Sequence, residues 1–162
     1  MKRVPTPLKS HPLYSTWHGT LQRCENPRTW NYAIYGGRGI RVSDEFHDFR
    51  KFAAWIELNI GLRPAGLELH RIDNDGNYEA GNLRWATRRQ QQANTRKKYG
   101  ESRYKGVGMA GNRWRARIVI DGRQRHLGCF GSELEAAHAY DAAACEEYGE
   151  FARLNFPERR AA

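Results

Sequence analysis

Between Arg113 and Tyr148 the spacing of apolar residues changes from every second position to every third or fourth. A period of two is the signature of a strand with one buried face, and a period near 3.6 that of a helix with one buried stripe. In the first stretch Trp114, Ala116, Ile118 and Ile120 fall on one face, and Arg113, Arg115 and Arg117 on the other. Asp121-Gly122 then supplies the residues of a tight hairpin turn, and a second strand runs to Leu127. Ser132-Glu133-Leu134-Glu135 has the form of a capping box. Leu134, Ala137, Tyr140, Asp141, Ala144 and Tyr148 follow at helical spacing until Gly149 ends the run. With a further strand upstream, the order is strand, strand, strand, helix. Such a unit packs one sheet face on the helix and leaves an arginine row on the other.

Charge narrows the choice of partner. Lys and Arg number 27 against 18 Asp and Glu, a formal charge of +9 over 162 residues. An excess of that size favours an anionic partner, with nucleic acid the first candidate. From Arg103 to Arg125 there are seven basic residues and one acid, Asp121, whereas Glu133, Glu135, Asp141, Glu146 and Glu147 gather on the helix. No stretch approaches the roughly 18 apolar residues of a spanning helix, so no membrane partner is expected. Lys2-Arg3 has no apolar run behind it to form a signal peptide, so the expected location is the cytoplasm or nucleoid of a bacterial or phage-infected cell. Cys24, Cys129 and Cys145 are widely separated, make no Cys-x-x-Cys pair, and are expected as small core residues.

The length suits one domain or two small ones. Two textures meet in Arg88 to Lys98, which holds five basic residues and no acid, and the junction is placed near Tyr99 to Ser102, giving domains 1–98 and 99–162. In the first, Leu13, Trp17 and Leu21, with Tyr14 and Cys24 beside them, predict one amphipathic helix; Phe46, Phe49, Phe52, Ala53 and Ile56 predict another. Between them Gly36-Gly37-Arg38-Gly39 allows a tight turn, or close approach to another chain or a phosphate, with Arg38 a candidate DNA contact.

The densest polar constellation runs from His70 to Asn94. It reads as strand, loop, strand, helix: Asn74-Asp75-Gly76-Asn77 is a turn, Leu83 to Ala86 a short strand, and Thr87 a helix cap with Gln90 three residues on. Gln91 and Asn94 share one helical face. His70, Asn82 and a polar helix side chain would then surround one point, a set of nitrogen and oxygen donors suited to magnesium, with manganese as the alternative.

Two resemblances sharpen these readings. Ser102-Arg103-Tyr104-Lys105-Gly106-Val107, Trp114-Arg115-Ala116-Arg117-Ile118, Leu127-Gly128-Cys129-Phe130, Glu135 to Ala143 and Leu154-Asn155-Phe156-Pro157 resemble the Apetala-2 (ethylene-response-factor) DNA-binding domain. That likeness implies a three-stranded sheet in the major groove of double-stranded DNA. It carries contact roles to Arg103, Lys105, Arg113, Arg115, Arg117, Gln124 and His126. Gly108 and His126 stand where the plant domains commonly have arginine and tryptophan, so the plant target sequence is not assumed.

His70 to Asp73 with Asn82-Leu83-Arg84-Trp85-Ala86-Thr87, and upstream His11 to Trp17, Arg23-Cys24, Asn26-Pro27 and Tyr35 to Ile40, resemble the HNH endonucleases of phages and introns. The implied fold is α+β: an N-terminal ββα-metal (HNH) nuclease domain with flanking helices, then a three-stranded antiparallel sheet packed on one helix. The implied activity is metal-dependent, homing-type DNA cleavage. The better-known pattern is Asp-His-Ile-Asp, and alignment on Ile72-Asp73 puts His70 at a metal-ligand position and Arg71 at that of the general base. His70 is therefore read as ligand or base, Asn82 as the residue fixing the loop, and Gln91 or Asn94 as completing the helix side. Asp73 is either a ligand or the cap of the turn. Arg88 and Arg89 are assigned to the DNA backbone. The alternatives are a regulator that binds DNA without cutting it, and an RNA-binding protein that stacks bases on Trp30 and Trp85.

Overall fold

Aromatic rings at helical spacing organise the first half of the chain. The computed structural model describes residues 6–95 and 100–157, and the chain divides into two units, Met1–Thr87 and Arg88–Ala162. The first contains helices α1 (Thr6–Lys9), α2 (Tyr14–Glu25) and α3 (Phe49–Asn59) and an antiparallel pair, β1 (Glu68–Arg71) and β2 (Leu83–Ala86). Leu13 and Cys24 from the α2 stripe, and all five residues expected from Phe46 to Ile56, are buried in one cluster with Ile40, Val42, Leu69, Tyr78 and Leu83. The expected second helix is in fact two elements. Phe46 lies in a 3-10 turn, Asp44–His47, and Asp48 breaks the run in an extended conformation. The Asp48 carboxylate accepts from Arg50 N at 2.8 Å and caps α3. The indole of Trp17 donates to the Phe46 carbonyl at 2.7 Å and fixes that turn on α2.

The second unit contains α4 (Arg88–Ala93), the sheet β3 (Val107–Ala110), β4 (Arg113–Ile120), β5 (Arg123–Phe130) in the order β3-β4-β5, and α5 (Glu133–Tyr148). All pairing in this sheet is antiparallel. The capping box forms as expected, with Ser132 Oγ accepting from Glu135 N and the Glu135 carboxylate accepting from Ser132 N. The α5 stripe is made of Ala136, Ala137, Tyr140, Asp141 and Ala144, all buried against β4 and its neighbours. Leu134 has the spacing of that stripe but is 50% exposed, because the buried face starts two residues later with Ala136 and Ala137. Small residues let the helix approach the sheet closely. Gly106 does the same from the other side: it has a φ of 77°, and a Cβ there would meet the Tyr140 ring.

Burying an aspartate requires partners. Asp141 Oδ1 accepts from Asn155 N at 2.8 Å and Asn155 Nδ2 at 3.1 Å, and Oδ2 accepts from Phe156 N at 2.9 Å. Asn155 passes the link on, accepting from Lys105 N at 2.7 Å and donating to Lys105 O at 3.1 Å. The C-terminal segment, α5 and the approach to β3 are thus fastened by one carboxylate.

The unit boundary stands before Arg88 rather than at 98/99. The reason is that α4 is tied to the later residues, by Arg153 N donating to Ala93 O at 3.4 Å and by Arg89 bonded to Asp121 and Glu147. Residues 96–99, including Lys97, Lys98 and the first residue of the expected junction, lie outside the described residues. Of the three cysteines expected in the core, Cys24 is buried, while Cys129 and Cys145 are exposed. Replacing Asp141 with Ala would strand three donors, so Asp141→Ala should lower unfolding free energy by about 3 kcal/mol or more in urea denaturation. A loss under about 1 kcal/mol would show that the carboxylate is not the fastening.

Candidate functional site

The β1–β2 hairpin presents its polar residues through a loop that Asn82 closes. Strand pairing sets His70 opposite Arg84 and Leu69 opposite Trp85. Beyond the strands Ile72 N donates to Asn82 O at 2.9 Å. The Asn82 side chain then accepts from Asp73 N at 2.7 Å and donates to Asp73 O at 3.2 Å and Asn77 O at 2.7 Å. A single amide can make this set of bonds because it carries both donors and an acceptor. Asp73 Oδ1 accepts from Asp75 N at 2.9 Å, so its carboxylate is part of the Asx turn. The turn-capping reading of Asp73 therefore has a bond behind it.

Arg71 is 5% exposed and lies over the rings of Tyr35 and Tyr78, its Cζ 5.3 and 5.0 Å from their centroids. It also donates to Gly76 O at 2.7 Å. Arg23 from α2 lies over the same two rings at 5.3 and 5.6 Å. Both contacts are within the range of cation–π attraction. The residue at the base position of the resembled motif is thus a packed cation joining the hairpin to the glycine turn. In that turn Gly36 abuts α2: a Cβ there would sit 2.0 Å from Cys24 O. The close approach foreseen for the glycines is to the chain's own helix. Arg38 pairs with Asp75 at 2.7 Å.

His70 is 8% exposed, and its Nδ1 is buried without a hydrogen-bond partner among the described residues. Burial lowers its pKa to about 4, and the positive charges of Arg84 and Arg71 act in the same direction. A neutral imidazole with a bare nitrogen is the state that both a metal ligand and a proton acceptor need. The surroundings are less accommodating to a cation, since two arginines adjoin it. Among the described residues, no three His, Cys, Asp or Glu side chains are grouped to hold a metal ion. Gln91 is on α4 and Asn94 just beyond it, both in the second unit; Asn94 is buried and its N–H continues the helix to Gln90 O.

The sheet of the second unit gathers the other candidates. Pairing puts Arg115 opposite Cys129, Arg117 opposite His126 and Val119 opposite Gln124, with the register shifting between Ala116 and Arg117. Leu127 is the extra residue in β5, and it packs into the core beneath the sheet. The bulge is what lets Gln124, His126 and Cys129 share the face of Arg113, Arg115 and Arg117. Arg117 reaches Gln124 Oε1 at 3.5 Å, Arg113 donates to Cys129 O at 2.9 Å, and Cys129 Sγ lies 3.6 Å from His126 Nε2. Trp114, Ala116, Leu127 and Phe130 belong to the opposite, helix-covered face. Arg103, over the Tyr104 ring at 5.0 Å, lies just ahead of the sheet.

Besides Arg38, two basic residues assigned to DNA are engaged otherwise. The Lys105 ammonium donates to Ala93 O beside the Tyr140 ring, and burial with Arg153 nearby lowers its pKa to about 8. Arg89 is bonded to Asp121 at 2.9 Å and to Glu147. Neither arrangement shows in the local sequence, since the partners are distant along the chain. Of the two indoles considered for RNA stacking, Trp30 is 88% exposed, whereas Trp85 packs on the core and donates to Gly61 O at 2.9 Å. Neither a scan against protein-family models nor a search of curated proteins finds a match. Among the described residues no helix is long and apolar enough to cross a membrane.

The His70 environment makes a signed prediction for the metal-free chain. Its folded pKa lies below the ordinary 6.5, so the unfolded chain binds the extra proton and stability falls as pH drops from about 6.5 towards 4. The full effect is on the order of 3 kcal/mol. Comparing His70→Gln with wild type in urea titrations at pH 7 and 4.5 should show a smaller pH loss in the variant; parallel losses would place the titration elsewhere.

Proposed function

We propose that this chain binds double-stranded DNA through the open face of β4 and β5 and hydrolyses a phosphodiester bond of that DNA at the β1–β2 hairpin. The observation that carries the reading is the shared face of Arg113, Arg115, Arg117, Gln124 and His126, backed by a helix-packed core. An antiparallel sheet of this kind can enter the major groove, where a bidentate arginine–guanine pair contributes about 1 to 3 kcal/mol of discrimination. The formal charge of +9 fits backbone binding. Cleavage is supported by His70, whose neutral imidazole and bare Nδ1 can accept a proton or hold a cation, and by the resemblance of its neighbours to HNH endonucleases. A divalent ion bound there would supply charge neutralisation and acidify a bound water. The role of Asn82 is to position the loop, and that of Arg71 is to hold the hairpin against Tyr35 and Tyr78.

Arg71 also favours a second reading, a DNA-binding regulator on a nuclease-like fold, because a guanidinium cannot take a proton at neutral pH. Plasmid nicking separates the two. With magnesium or manganese the wild-type chain should convert supercoiled plasmid to nicked or linear forms, EDTA should stop it, and His70→Ala should slow it roughly 100-fold or more. Tight, EDTA-insensitive binding with no nicking in either metal would establish the regulator instead. Binding should weaken by about three to five decades between roughly 50 and 200 mM salt if six to ten phosphates are contacted. A flat salt response would refute the basic-face reading.

A further inference from the structure

The second unit holds a cleft of about 740 Å³ between α4, the β4–β5 hairpin and α5. Its walls include Arg88, Gln92 and Thr95 from the α4 side and Lys105, Arg117 and Gln124 from the sheet side. Arg117 and Gln124 also belong to the open face of β4 and β5, so the cleft continues that face. Arg88 and Arg89 are both exposed, and Arg89 is held by Asp121 at the hairpin turn and Glu147 near the end of α5. The ring of Tyr148 lies under the Arg89 guanidinium at 5.7 Å. Two adjacent arginines on one short helix therefore do different work. Arg89 fixes α4 to the sheet unit, and Arg88 lines the cleft together with Arg117.

We infer that α4 is a fourth element of the DNA-binding unit and that its cleft takes a backbone phosphate of duplex DNA, gripped by Arg88 and Arg117 and flanked by the amides of Gln92 and Gln124. The inference rests on the proposed DNA binding by the sheet and extends its footprint to a segment that sequence places with the nuclease half. Phosphate is the occupant because Arg88 and Arg117 bring two guanidinium cations to the lining and Gln92 and Gln124 their amides, and because Arg117 and Gln124 are shared with the face that would lie along a duplex. Asp121, the acid in its lining, is turned to Arg89, as is Glu147 outside it.

Removing those acids gives a test whose sign discriminates. On charge alone, Asp121→Asn with Glu147→Gln removes two negative charges and should tighten DNA binding. If they hold α4 in place, the same double variant should bind a random-sequence duplex of about 20 base pairs roughly 5- to 10-fold more weakly. Arg88→Ala in the full chain should lower the slope of log affinity against log salt by about 0.9, and Arg88→Lys should restore it, since a lysine is still a phosphate contact. Thermal melting of each variant confirms that the chain stays folded. Tighter binding by the double variant, or an unchanged slope in Arg88→Ala, would overturn the inference. Arg113→Ala with Arg115→Ala tests the sheet separately: if that pair lowers affinity while Arg88→Ala changes nothing, the sheet reading stands and the α4 cleft falls. If wild type does not bind the duplex, both fall.

Discussion

A chain with this much positive charge has to find places for cations inside its folded units, and ring faces and carbonyl oxygens provide them. Arg71 rests over Tyr35 and Tyr78 and donates to Gly76 O; Arg23 shares those rings and donates to Gly19 O; Lys105 meets Ala93 O and the Tyr140 ring. A guanidinium is weakly hydrated and planar, so stacking costs it less than it would cost an ammonium. The price is visible in Lys105, whose charged form burial disfavours so far that its pKa falls to about 8. Each of these cations also joins elements far apart in sequence: α2 to the hairpin, the hairpin to the glycine turn, and the approach to β3 to α4 and α5.

Six acidic side chains are spent on geometry. Asp141 fastens the C-terminal segment, Asp48 and Glu135 cap helices, Asp73 shapes its turn, and Asp121 with Glu147 holds Arg89. With those carboxylates engaged, the arginines of β4 face outward with no acid directly opposite them across the sheet. A cationic face therefore survives beside an acidic helix, and the two signs are kept apart by the thickness of one sheet.

The elements that local rules govern were legible in the sequence. The capping box of α5, the Asp121-Gly122 turn with its positive-φ residues and the alternation of β4 all concern residues within a few positions of each other. Long-range choices were not. Arg88 and Arg89 look equivalent in the chain, and only the folded hairpin turn and the end of α5 distinguish them. Arg71 reads as a departure from a motif, and its use as a stacked cation depends on tyrosines 36 positions before it and 7 after it, as the numbering shows. The bulge at Leu127 is likewise silent in the alternation of β4, because the irregularity belongs to the partner strand. Leu134 shows the converse limit, since correct spacing does not say where along a helix its buried stripe begins.

The loop closed by Asn82 has a further consequence. Its backbone is held by three side-chain hydrogen bonds made within the hairpin itself. The conformational freedom of residues 73–77 is surrendered when the chain folds, so none remains to be surrendered on encounter with a ligand. In the proposed DNA-binding role such a loop would add affinity through rigidity rather than through additional contact, and association would not be slowed by a segment that must first find its shape.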